Sequence, residues 1–133
     1  MAGDMNFPQE LRYTKTHEWA RRRANKVTVG VSDYAQKEIS DVVFVELPRI
    51  GNTVEQAKAV AVIESVKAAF DIYAPVSGKI VHANKELEIN PALVNREPYG
   101  QGWFFEIEMS EPAQWDALLT VDEYQKMLKQ ESK

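Results

Sequence analysis

The sequence predicts an α+β domain that is mainly β, a sandwich or flattened barrel of short strands with short helices, including helices at the C-terminal end. Three observations predict it. Alternating or β-branched runs recur through the first four-fifths of the chain, at 26–31, 41–47, 59–64, 70–74, 79–83 and 103–109. Turn signals separate them, at Asn25, Pro48, Ile50–Thr53 and Pro75–Gly78. Helical spacing dominates only after Ser110, so strands come first and helices last.

Taken in order, the first dozen residues are polar, include Pro8, and read as a loose lead-in over about 1–10. Tyr13–Ala20 reads as an edge strand. Arg21, Arg22 and Arg23 read as a solvated turn edge before Asn25. Lys26–Val31 alternates polar and apolar, with β-branched residues at 27, 28, 29 and 31, and is a strand. Ser32 and Asp33 can cap a short helix over 34–39. Asp41–Leu47 is a strand that Pro48 ends. Ala59–Glu64 and Phe70–Ala74 are strands interrupted by Ser65-Val66-Lys67-Ala68-Ala69. Lys79–Ala83 leaves the Pro75–Gly78 turn as another strand. Asn84, Asn90-Pro91, Asn95, Pro98 and Gly100-Gln101-Gly102 mark a long irregular connection. Trp103–Met109 is a strong strand. Pro112 sits at a helix start, and a helical segment follows over about 112–130. Val121, Tyr124, Met127 and Leu128 share one face of its second helix, and residues 129–133 are expected to fray.

The chain has 133 residues, the size of one domain spanning 1–133. Its net charge of −4 argues against a nucleic-acid partner, which calls for a basic surplus. There is no cysteine, so disulfides, thiolate nucleophiles and Cys-ligated metal centres are excluded. Any sulfur redox chemistry must come from an attached group. No run approaches the roughly 18 apolar residues of a membrane span. The N-terminal stretch lacks a signal core, which predicts a cytoplasmic protein or a mature chain whose leader was removed.

Catalytic machinery is missing. The only histidines, His17 and His82, lie far apart in sequence. No Gly-x-Ser-x-Gly elbow occurs, Ser65-Val66-Lys67 is not Ser-x-x-Lys, and Gly78-Lys79 lacks the upstream glycine of a phosphate loop. Glu106 and Glu108 alternate on a strand and read as its solvent face. The reading is a carrier or binding module, not an enzyme.

Lys67 stands out by its surroundings. A lysine between two strands is ordinarily a solvated turn residue. Here Val66, Ala68 and Ala69 replace the Gly, Asn or Asp of a tight hairpin. Compact neighbours leave the ε-amine reachable by another protein, and the flanking strands hold it in place. That is a platform for a prosthetic group.

The segment Ala61–Ala69, with Glu64-Ser65-Val66-Lys67-Ala68 at its centre, and the following Asp71–Gly78 closely resemble the lipoylation site of the glycine cleavage system H proteins. His17-Glu18-Trp19, Val29-Gly30-Val31, Val43–Pro48, Leu93-Val94-Asn95, Glu97-Pro98-Tyr99 and Gly102-Trp103 match in the same order, over roughly 11–128. The resemblance implies a lipoyl/biotinyl-carrier fold of the hybrid-motif type. It implies lipoate bound covalently to Lys67, with Glu64, Ser65, Val66 and Ala68 forming the recognition surface around it. It implies a shuttle that takes the aminomethyl group of glycine from a pyridoxal-phosphate glycine decarboxylase to a tetrahydrofolate-dependent aminomethyltransferase. Electrons then pass to dihydrolipoamide dehydrogenase, and lipoate-attaching enzymes are further partners. Thr16, Glu18 and Asp71 match positions lining an arm pocket, where Glu18 and Asp71 would pair with a cationic amine. His17 is expected either to orient Glu18 or to pack. The chain departs from the family at Phe70, at Ala57-Lys58, and at Tyr34 and Glu38, where relatives often carry histidine; these bear on arm docking, not attachment. A monomer is expected, in the cytoplasm if bacterial, in the mitochondrial matrix if a mature eukaryotic chain, with the cytoplasm preferred. The alternatives are a relative that relays lipoyl groups with little part in glycine breakdown, and an unmodified β-rich interaction domain.

Overall fold

The computed structural model describes residues 5–131. Nine strands and five short helices follow in the order β1 (Arg12–Tyr13), β2 (Glu18–Arg23), β3 (Lys26–Val31), α1 (Asp33–Ile39), β4 (Val42–Glu46), β5 (Thr53–Val54), β6 (Ala59–Ser65), β7 (Ala69–Tyr73), β8 (Gly78–Ala83), α2 (Glu86–Ile89), α3 (Leu93–Arg96), β9 (Phe105–Met109), α4 (Ala113–Asp116) and α5 (Val121–Glu131). They form two sheets, one ordered β1-β2-β3-β9-β8-β5 and the other β4-β6-β7. Neither closes on itself, so the architecture is a sandwich of open sheets and not a barrel. It is α+β and mainly β. No helix among the described residues is long and apolar enough to cross a membrane.

Alternation explains the main core. Val27 and Val29 of β3, Ile107 of β9 and Ile80 of β8 point inward from the larger sheet, and Val45, Ile63 and Ile72 from the smaller. Each buried side chain of this size contributes roughly 1.5–3 kcal/mol. A second cluster, Leu11, Tyr13, Trp19, Tyr124 and Leu128, joins the start of the chain to α5. Its stacked pair is Tyr13 on Tyr124, with ring centroids 4.6 Å apart and planes 4° from parallel. The helical spacing of Tyr124 and Leu128 places both on the buried face of α5.

Five expectations are corrected. The edge strand over 13–20 is two strands divided by a turn: His17 N–H donates to Thr14 O at 3.1 Å, and His17 takes a positive φ of 76°. The three arginines continue β2, pairing with Lys26–Thr28 of β3. Arg21 lies over the Trp19 ring at 4.8 Å and donates to Tyr99 O, while Arg22 donates to Ala24 O. The lead-in is pinned where described: Asn6 N–H donates to Asp33, Tyr99 OH to Asn6 O and Tyr13 OH to Pro8 O. Residues 1–4 of that lead-in lie outside the described residues. The irregular connection contains α2 and α3, held by two asparagines. Asn84 donates to Gln101 O and Trp103 O, and Asn95 accepts from Val42 N and donates to Ser40 O. At the other end α5 runs through Glu131, past the expected fraying point, and residues 132–133 lie outside the described residues.

Candidate functional site

The hairpin between β6 and β7 is built without glycine. Ala69 pairs with Glu64 at its mouth. Ser65 supplies what a turn glycine would otherwise permit. Its Oγ accepts the backbone N–H of Lys67 at 3.0 Å and of Ala68 at 3.3 Å, and its own N–H donates to Ala68 O at 2.9 Å. Val66 N–H donates to Asp41 O at 3.0 Å, which ties the tip to the chain entering β4. The tip is therefore fixed at both of its sides, and no residue from Ser65 to Ala69 takes a positive φ.

From this support the Lys67 side chain is exposed, as are Glu64 and Ala68, and Val66 is 67% exposed. Ser65 is half-buried. The Lys67 ammonium donates to the backbone carbonyl of Glu38 at 2.9 Å and makes no ion pair among the described residues. One solvent-exposed hydrogen bond of this kind is worth about 1 kcal/mol, so the amine is readily released.

Glu38 also lines a cleft of about 230 Å³. One wall is α1, through Tyr34, Ala35, Glu38 and Ile39. The opposite wall is β7, through Phe70, Asp71 and Ile72, and Thr16 and His17 close one end. The amine of Lys67 thus rests against the same helix that walls the cleft. The free edge of β7 makes this possible, since β7 is the outer strand of its sheet.

Of the three residues expected in an arm pocket, Thr16 and Asp71 line this cleft, while Glu18 lines, again with Thr16, a neighbouring cavity of about 260 Å³. The Glu18 side chain is 1% exposed. One carboxylate oxygen accepts from Thr14 Oγ1 and Thr16 Oγ1, both at 2.5 Å, and the other from Tyr73 N–H at 3.0 Å. Glu18 is a pin between the two sheets, reaching from β2 to the end of β7. Burial pushes its pKa up, opposed by the hydrogen bonds from Thr14, Thr16 and the Tyr73 N–H. Its contact with the cleft runs through the Thr16 hydroxyl.

His17 does not orient Glu18. Its Nδ1 lies 2.8 Å from the Tyr124 hydroxyl and its Nε2 3.5 Å from the Glu131 carboxylate. Burial pushes its pKa down, against the pull of Glu131 and Glu38. The other histidine, His82, pairs with Glu106 at 2.6 Å on the far sheet. No group of His, Asp and Glu able to hold a metal occurs among the described residues. The contacts hidden from sequence reasoning are Ser65 as organiser of the tip, the carbonyl of Glu38 and the Tyr124 hydroxyl. Ser65 carried a signal, a small hydroxyl residue two positions before the lysine, whereas a backbone carbonyl carries none.

A two-sheet β-rich domain that holds one exposed lysine, without an ion pair among the described residues, at a hairpin tip beside a cleft has the form of a carrier domain. Residues 11–131 match the family model described as glycine cleavage H-protein. The chain belongs to that family. It is 51% identical over 128 residues to the glycine cleavage system H protein of Thermus thermophilus, covering 96% of this chain and 100% of that one. The H protein of Endomicrobium trichonymphae is 49% identical over 124 residues, 93% of this chain and 100% of its own. Among solved structures, the glycine cleavage system H protein from Mycobacterium marinum superposes with a TM-score of 0.82 at 35% identity, covering 89% of this chain and 95% of that one.

Proposed function

We propose that this chain is the lipoyl-bearing carrier of glycine cleavage, with lipoate joined by an amide to Lys67. The observation that carries the reading is the Lys67 amine itself, exposed on a tip that Ser65 and Asp41 hold rigid. The residues present fit the group. The amine has no ion pair to surrender, the neighbours at the tip are small or apolar, and an adjoining cleft offers both apolar walls and a carboxylate. The dithiolane of lipoate supplies a sulfur pair that takes up a one-carbon amine and two electrons, chemistry a cysteine-free chain lacks.

The chain's own residues position and protect. Phe70, Ile39 and Ile72 give the cleft apolar surface that excludes water. Asp71, exposed on the free edge of β7, offers a carboxylate to a cationic amine. Thr16 offers a hydroxyl whose proton is committed to Glu18, which leaves its oxygen to accept from the cleft side. Glu18 therefore acts on this cleft through Thr16. Val66 and Phe44, the latter 47% exposed, present apolar surface near the lysine to proteins that must reach it.

In this reading the carrier works as a monomer. It takes the aminomethyl group of glycine from the pyridoxal-phosphate decarboxylase to the tetrahydrofolate-dependent aminomethyltransferase, and electrons to dihydrolipoamide dehydrogenase. A tether makes each transfer local once a partner docks. Reconstituted glycine decarboxylation with the lipoylated chain and these partners tests the reading. Turnover that depends on Lys67 supports it. Equal turnover with Lys67→Ala overturns it.

A further inference from the structure

The two elements at the closed end of the cleft are tied together from behind by α5. The Tyr124 hydroxyl lies 2.7 Å from Ser32 Oγ and 2.8 Å from His17 Nδ1. Ser32 caps α1, its Oγ accepting from Ala35 N–H at 3.1 Å, and its own N–H donates to His17 O at 2.9 Å. Ser32 and Tyr124 are fully buried.

We propose that Tyr124 is a positioning residue of the arm cleft: a one-way chain of hydrogen bonds, Ser32 to Tyr124 to His17, locks the α1 wall to the His17 turn and holds His17 as the neutral ring protonated on Nε2. The consequence for the arm rests on the carrier reading; the chain of hydrogen bonds does not.

Proton accounting fixes the direction. If Ser32 donates to the Tyr124 oxygen, the Tyr124 proton goes to His17 Nδ1. The ring proton then sits on Nε2, facing the Glu131 carboxylate 3.5 Å away. Every buried group is satisfied. In the reverse direction Nδ1–H donates to Tyr124 and Tyr124 to Ser32. The Ser32 proton then has no acceptor among the described residues, although the oxygen is buried. The bare Nε2 lone pair also faces a carboxylate. Burial, which disfavours the charged imidazole, agrees with the first arrangement. His17 packs against Tyr34 of α1 with centroids 4.9 Å apart, so its ring orientation sets the spacing at that end of the cleft.

Tyr124→Phe removes the hydroxyl and keeps the ring between Tyr13 and Phe7. The test uses the full chain, unmodified and nitrogen-15 labelled, at neutral pH. Imidazole nitrogen shifts of the parent are expected to report a protonated Nε2 and a bare Nδ1. In Tyr124→Phe the two tautomers should mix, and the Ala35 amide should exchange at least tenfold faster. A parent ring protonated on Nδ1, or a variant with unchanged tautomer and unchanged Ala35 exchange, overturns the hydrogen-bond chain. With the lipoylated chain, reduction of the dithiolane by a water-soluble phosphine should be severalfold faster in Tyr124→Phe. An unchanged rate overturns the positioning role. Failure of the carrier reading is seen separately, as no lipoyl increment on Lys67 of the parent.

Discussion

The ammonium of Lys67 and the backbone carbonyl of Glu38 meet at 2.9 Å, placing the hairpin tip against the last turn of α1. Carbonyls at that end of a helix have no partner within it and carry partial negative charge, so they suit an ammonium. The contact holds the amine beside the cleft without burying it.

Lys67→Ala should therefore leave stability within about 0.5 kcal/mol of the parent, as for other exposed positions. Urea unfolding measures it. A loss above about 2 kcal/mol would make Lys67 a structural residue and weaken its role as an attachment point.

Glu18 should behave as a buried pin. Glu18→Ala strands the Tyr73 N–H and two threonine hydroxyls and should cost about 2–3 kcal/mol. Because burial raises its pKa, the folded chain keeps the Glu18 proton to higher pH than the unfolded chain. Its contribution is largest below the ordinary value of 4.5 and falls as pH rises from there through the raised value. In Glu18→Gln that slope should be absent. Identical slopes in parent and variant would contradict the assignment.

His17 carries the opposite sign. Its folded pKa is lowered, so the unfolded chain takes up the proton first as pH falls. Its contribution is complete above the ordinary 6.5 and is lost as pH falls from there through the lowered value. Denaturation followed across that window should show stability rising with pH in the parent. His17→Asn, which tolerates the positive φ of 76°, should flatten the rise. A parent curve flat across the window would count against it.

Gly78 cannot take a side chain. A Cβ there would sit 2.0 Å from the Glu108 carbonyl oxygen, at the β8–β9 pairing of Gly78 with Met109. Gly78→Ala should cost about 3 kcal/mol in thermal or urea unfolding, through displacement of backbone. A change under 1 kcal/mol would show that β9 yields easily at this point.

Much of this was legible along the chain. Lys26–Val31 and Tyr124 with Leu128 declare their periods of 2 and 3.6, and both landed on buried faces. Ser32 declares its cap. Lys67 declares itself through its compact neighbours and the family resemblance. What was illegible depends on contacts between distant segments. A strand pattern over 13–20 does not reveal that the chain turns at His17, because the turn is stabilised by Glu18 and Thr14 folding back on each other. Asn84 and Asn95 read as loop residues although they bind the backbone that organises α2 and α3. Glu18 reads, through the family resemblance, as an arm-pocket carboxylate in an early strand. Its burial between the two threonines and Tyr73, over 50 residues later, is a long-range contact.

Lys67 is the residue proposed to bear the lipoyl group. Intact-mass measurement of the chain produced beside lipoate-attaching enzymes, followed by peptide mapping, tests it most directly. One lipoyl-sized increment is expected, located on Lys67 and lost in Lys67→Ala. No increment on the parent chain, or one that persists at another lysine in the variant, would contradict it.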